Sequence, residues 1–132
     1  MATHYEQIGG EAGVQRLVER FYDLMDQRAD VTDLRAMHAK SLKGSREKLF
    51  LFLTGWLGGP QLYTEKHGPP RLRQRHLPFT IGDAERDQWM ACMVQALEDV
   101  GIEAGLREEL TRAFEKVADF MRNKEQPGRA PY

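Results

Sequence analysis

A chain of 132 residues is long enough for one folded domain with a single core and a small-molecule pocket, and too short for a second such domain. Charged residues make up 30% of it, but 19 Lys and Arg stand against 20 Asp and Glu, so the net charge of −1 lacks the clustered positive excess that nucleic-acid binding requires. The one cysteine, Cys92, allows no internal disulfide, and neither a secretory signal pattern nor a bilayer-length apolar run is present, so a cytoplasmic protein away from membranes is expected.

Residues 3–8 have room for at most a turn or two of helix before Gly9 and Gly10 break the backbone. Val14, Leu17, Val18, Phe21, Tyr22 and Met25 then recur at spacings of three and four, which predicts an amphipathic helix over about residues 11–27. The less regular stretch 29–43 accommodates one short helix around 33–37. Leu49, Phe52, Leu53 and Trp56 mark the next helix, with Ser45 as its N-cap or a first-turn residue and Gly58, Gly59 and Pro60 as its stop.

From 61 to 80 the breakers Gly68, Pro69, Pro70 and Pro78 predict an extended connection with one turn of helix at 72–76. A connection of this length in a compact domain usually carries function. Trp89, Cys92, Met93, Ala96, Leu97 and Val100 define a long helix, whose first turn holds Asp83, Glu85 and Asp87 where the macrodipole favours negative charge. After Gly101 and Gly105, the series Leu106, Leu110, Phe114, Val117 and Met121 defines a last helix, and the polar, proline-containing residues 123–132 are expected to fray. No alternating strand pattern and no repeat appear. The fold class is therefore all-α, one domain with its core over about residues 5–122.

Of the four histidines, His4, His38, His67 and His76, each taken alone is more simply a surface or structural residue. His76 differs in its surroundings: Arg71, Arg73 and Arg75 precede it, and Leu77, Pro78 and Phe79 follow it. A cationic strip thus abuts an apolar one. Haem, an apolar disc with two carboxylates at one edge and an iron that takes neutral imidazole, needs such a mixed wall, which makes His76 a ligand candidate and Arg73 and Phe79 candidate contacts. A solvated charged loop accounts equally well for Arg73 and Arg75 taken separately. There is no metal-chelating pair, no thioether attachment motif, no phosphate loop and no nucleophile elbow. Tyr22 and Trp89 each carry one polar atom on an apolar helix face, and such atoms either bond to nearby backbone or act as donors inside a cavity. Cys92 is most simply a small buried hydrophobe, His67 a surface loop residue and His4 a terminal one.

The string from Pro70 through Gly82, with Glu85-Arg86-Asp87-Gln88-Trp89 after it, resembles the group II (O-type) truncated haemoglobins, as do Gly9-Gly10, Arg20-Phe21-Tyr22, Gly58-Gly59-Pro60 and Tyr63. The resemblance runs from about Tyr5 to Met121. It implies a shortened globin fold in which two antiparallel helix pairs sandwich haem b held without covalent links. By that resemblance His76 matches the proximal ligand, Tyr22 and Trp89 match distal donors, and His38 matches a distal position that varies within the family. Ser45 stands where many globins place a distal histidine. Lys48 and Tyr63 match propionate contacts, and Leu49 and Phe52 match residues of the distal wall.

The expected function is reversible binding of dioxygen and other diatomic ligands. A haem-dependent redox enzyme, peroxidase-like or nitric-oxide-detoxifying and served by a reductase, is the alternative, because a polar pocket can also polarise an O–O bond. A cofactor-free helical module, with the arginines around His76 docking an acidic partner, is a more distant one.

Overall fold

The computed structural model describes residues 2–123, and they are helical without strands. The chain starts with α1 (His4–Gln7), capped reciprocally: the Thr3 hydroxyl accepts from the Glu6 N–H at 3.1 Å, and the Glu6 carboxylate accepts from the Thr3 N–H at 3.2 Å. Gly9 and Gly10 follow at φ of 104° and 65°, a left-handed turn that side chains with a Cβ disfavour. There α2 (Gly10–Gln27) begins, and it buries Val14, Leu17, Val18, Phe21, Tyr22 and Met25, the predicted periodic set, with Leu24 beside them.

A single 3₁₀ turn (Ala29–Val31) leads to α3 (Thr32–Ala36), and then comes α4 (Lys43–Trp56). Ser45 takes the first turn of α4 rather than its cap, which is Leu42. The expected extended connection is broken by α5 (Leu62–His67), a helix of six residues between the breakers Gly58-Gly59-Pro60 and Gly68-Pro69-Pro70, so the extended reading fails there. Six residues are too few to show a period, although enough to close helical turns. The predicted turn at 72–76 is present as α6 (Leu72–His76), followed by α7 (Asp83–Asp99) and α8 (Ala104–Phe120). Glu85 accepts from the Gly82 N–H at 2.7 Å at the start of α7, and Glu103 accepts from the Gly105 and Leu106 N–H groups at the start of α8.

Helix α2 packs on both α4 and α7, and α7 packs on α8, so two helix pairs meet through α2 and α7. Phe21, Leu17, Met25, Leu53, Met93 and Leu97 fill the contact completely buried, each contributing about 1.5–3 kcal/mol of burial. Charged side chains hold the edges: Arg46 of α4 donates to the Glu19 and Asp23 carboxylates of α2 at 2.8 and 3.0 Å, and Arg20 of α2 donates to Asp99 of α7 at 2.7 Å. Cys92 is fully buried, and burial pushes its thiol up to about 11, as befits a packing residue rather than a reactive one. Among the described residues no helix is long and apolar enough to cross a membrane. Apart from Asn123, the expected polar tail lies outside the described residues.

Helix α2 can enter the core because residue 13 has no side chain: a Cβ there would stand 1.9 Å from the Ile8 carbonyl oxygen and 2.6 Å from its carbon. Gly13→Ala must therefore push α1 away from α2, at a cost of about 1–3 kcal/mol. Thermal unfolding should move down by several degrees, and an unchanged midpoint would show that the α1 turn yields freely.

Candidate functional site

Between α4, α6, α7 and α8 lies a cavity of about 570 Å³, within the range of about 300–1,000 Å³ usual for cofactor pockets. Its walls are largely aromatic and aliphatic. Phe52 and Trp56 lie stacked with ring centres 6.4 Å apart, Trp56 meets Phe114 at 4.8 Å, and Phe114 meets Trp89 at 5.7 Å. Leu49, Phe52 and Phe79, all expected at the pocket, line it, as does Tyr63, whose ring stands edge-on to Phe52 at 6.3 Å.

His76 ends α6 and also lines the cavity. Its Nδ1 lies 2.6 Å from the Leu72 carbonyl one turn earlier in the same helix. A carbonyl only accepts, so Nδ1 carries the proton and Nε2 keeps its lone pair. The backbone enters this helix through Arg71 at φ 43° and ψ 51°, the one left-handed non-glycine residue among those described. Such a conformation persists where the surrounding structure enforces it.

The polar groups of the pocket come from α2, the segment after α3, and α7. Tyr22 is buried, with Ser45 nearby and the Arg46 guanidinium 5.9 Å over its ring. Burial pushes the phenol well above its ordinary value, outweighing the opposing effects of Arg46 and Ser45, so Tyr22 remains an O–H donor. His38 stands 6.1 Å from the Tyr22 ring, and its Nδ1 lies 2.9 Å from the Leu34 carbonyl. By the same reasoning as for His76, neutral His38 offers Nε2 as an acceptor. Trp89 lines the cavity and rests on Phe21, ring centres 5.2 Å apart. The structure thus brings His76, Tyr22, His38 and Trp89 to one cavity.

Three cations line the same cavity: Arg86 is paired with Asp83, Asp87 and Asp119, whereas Lys48 and Arg75 enter no ion pair among the described residues. Arg75 lies 5.5 Å over the Tyr63 ring and donates to the Pro70 and His67 carbonyls. Arg73, expected as a contact, is not brought to the pocket: its guanidinium lies over the Phe120 ring at 5.8 Å and points to the Arg122 carbonyl. Arginines two apart on a helix face different ways. The sequence signal for Arg75 was the same cationic strip, and only the neighbours distinguish the two. His67 belongs to α5 rather than to a loop and packs on Tyr63 at 5.0 Å. No group of three or more His, Cys, Asp or Glu among the described residues can hold a bare metal ion. An imidazole with no chelating partner, in an apolar, cation-edged cavity, suits instead an iron already bound by a flat, carboxylate-bearing macrocycle.

The family model for bacterial-like globins matches residues 3–123. The chain is 42% identical over 120 residues to the group 2 truncated haemoglobin YjbI of Bacillus subtilis (strain 168), covering 91% of this chain and 88% of that one. Its structure resembles the group II 2-on-2 haemoglobin of the plant pathogen Agrobacterium tumefaciens with a TM-score of 0.91 and 46% identity, over 95% of this chain and 97% of the other. It also resembles the truncated oxygen-avid haemoglobin of Bacillus subtilis, with a TM-score of 0.85 and 40% identity over 92% and 100% of the two chains.

Burial, with Arg35 and His76 nearby, holds His38 below its ordinary value against the opposing bond to Leu34. A histidine depressed in the folded state contributes stability that is complete above its unfolded value, about 6.5, and is lost as pH falls toward and through the folded value. Between about pH 7.5 and about pH 5 the parent should lose more denaturation free energy than His38→Phe, which has no such proton to bind. Equal losses in the two proteins would place His38 in a solvated setting.

Proposed function

The chain belongs to the bacterial-like globin family, and on that premise we propose that it holds one haem b without covalent attachment and binds dioxygen and other diatomic gases reversibly. The observation that carries this reading is His76, with Nδ1 committed to Leu72 and Nε2 left free in an apolar cavity. Haem held by His76 would supply an iron able to bind a diatomic gas.

The chain's own groups divide the remaining work. Lys48 and Arg75 would offer positive charge to the two carboxylates, with Arg75 held over the Tyr63 ring, and Leu49, Phe52 and Phe79 would give the disc an apolar surface. Tyr22 and Trp89 present an O–H and an N–H, so they are the donors toward a gas molecule in the pocket. Neutral His38 is an acceptor through Nε2 and orients the Tyr22 hydroxyl or a water rather than the gas itself. Oxygen avidity in a similar protein fits this double donor set. The buried, unpaired thiol of Cys92 fits a cytoplasmic setting.

His76→Ala should greatly weaken haem retention, with added imidazole partly restoring the ferrous spectrum. Unchanged haem content and an unchanged ferrous spectrum would move the ligand to another residue.

Trp89→Phe keeps the ring that packs on Phe21 and Phe114 but deletes the N–H. Loss of a hydrogen bond to a partly charged partner, about 1 to 3 kcal/mol, should quicken dioxygen release roughly ten- to a hundredfold. Carbon monoxide, a weaker acceptor, should be affected less. Equal acceleration for both gases in stopped-flow release would reduce Trp89 to a space-filling role.

A further inference from the structure

Asn123, the third residue past α8, is bonded to the histidine segment with unusual density. Asn123 makes four hydrogen bonds to it: its N–H donates to the Ile81 carbonyl at 2.9 Å, its Oδ1 accepts from the Ile81 N–H at 2.9 Å, and its Nδ2 donates to the His76 carbonyl at 3.3 Å and the Phe79 carbonyl at 2.8 Å. The side-chain amide has two N–H donors, and each has its own carbonyl. The His76 carbonyl also accepts from the Phe79 N–H at 3.0 Å, so Asn123 closes a turn that begins at the candidate ligand itself.

A second set of contacts anchors Asn123 in turn. Arg122 donates to Asp83 at 2.8 Å and lies 2.8 Å from Asp119, while Arg86 of α7 donates to Asp119 at 2.8 Å. The end of α8 is therefore fastened to the start of α7, and Asn123 extends that fastening to the backbone that carries His76. On the upstream side the segment is bounded by the left-handed Arg71. A five-residue helix has too few internal bonds to hold a ligand against strain, so its position must be set from outside.

We propose that Asn123 is a positioning residue that sets where the His76 imidazole stands relative to the haem plane, and through it the strength of the iron–histidine bond. The inference rests on the reading of His76 as the haem ligand. It makes the last residue of the described chain part of the proximal wall, although Asn123 touches neither haem nor gas.

The test uses the haem-loaded full chain and two readouts, the iron–histidine stretching band of the ferrous protein and the rate of haem transfer to an excess of scavenging apoprotein. Asn123→Asp keeps the acceptor for the Ile81 N–H but deletes both donors to His76 and Phe79, and Asn123→Ala deletes all side-chain bonds. Asp119→Asn is the control, because it loosens the ion pairs between α7 and α8 without touching Asn123. With two net hydrogen bonds lost, Asn123→Asp should release haem about three- to tenfold faster than the parent and shift the band by several wavenumbers. Asn123→Ala should do so at least equally, and Asp119→Asn, which weakens the anchor but removes none of the bonds of Asn123, should shift the band less. An unshifted band in Asn123→Asp, or an equal shift in Asp119→Asn, would overturn the proposal while leaving His76 as the ligand. A band that persists in His76→Ala would overturn the ligand assignment and this proposal with it.

Discussion

The hydrogen bond from His76 Nδ1 to the Leu72 carbonyl decides which ring nitrogen is free, and the rest of the site depends on that choice. In the neutral ring, with the proton held inside the helix, Nε2 keeps its lone pair on a side chain that lines the cavity, and the ring cannot rotate without breaking a 2.6 Å bond. The Leu72 carbonyl lies one turn earlier in the five-residue α6, and its second lone pair is open to the ring. Backbone geometry at Arg71 and the hydrogen bonds at Asn123 bound this short helix from both ends. The candidate ligand is thereby built on a minimal element and made rigid by its neighbours.

The opposite requirement, polar tips inside an apolar wall, is met by neighbouring residues that divide between core and cavity. Phe21 and Tyr22 are consecutive on α2, about 100° apart around the helix; Phe21 lies in the fully buried core while Tyr22 lines the pocket. Their rings meet edge-on at 4.9 Å, so the core ring fixes the direction of the pocket ring. Trp89 rests on Phe21 and Phe114 in the same manner. Each donor thus projects from a packed base, and the packing that stabilises the fold also aims the polar atoms.

Where the chain is periodic, its structure was legible. The apolar faces of α2, α4, α7 and α8 follow the spacing of three and four, and Gly58 and Gly101 fall just past the ends of α4 and α7, whereas Gly105 lies inside α8. His76, Tyr22 and Trp89 were legible through the resemblance, because each sits in a distinctive local string. Helix α5 was not, since Leu62 and Tyr63 alone show no period between two groups of breakers. Arg73 and Arg75 could not be ranked without knowing that Tyr63 lies beneath one and Phe120 beneath the other. Asn123 looked like the first residue of a fraying tail, because its bonds run to partners more than 40 positions away. Contacts of that separation leave no mark on local composition.

The central claim, that this cavity is a haem site, has a built-in probe: both tryptophans of the chain, Trp56 and Trp89, line it. Haem in the cavity must quench their emission while acquiring the absorption of a histidine-ligated iron. Titration of haemin into the purified chain should give a Soret band and a loss of tryptophan fluorescence that both saturate at one haem per chain. A titration with no break at one equivalent, or tryptophan emission that survives haem binding, would contradict it.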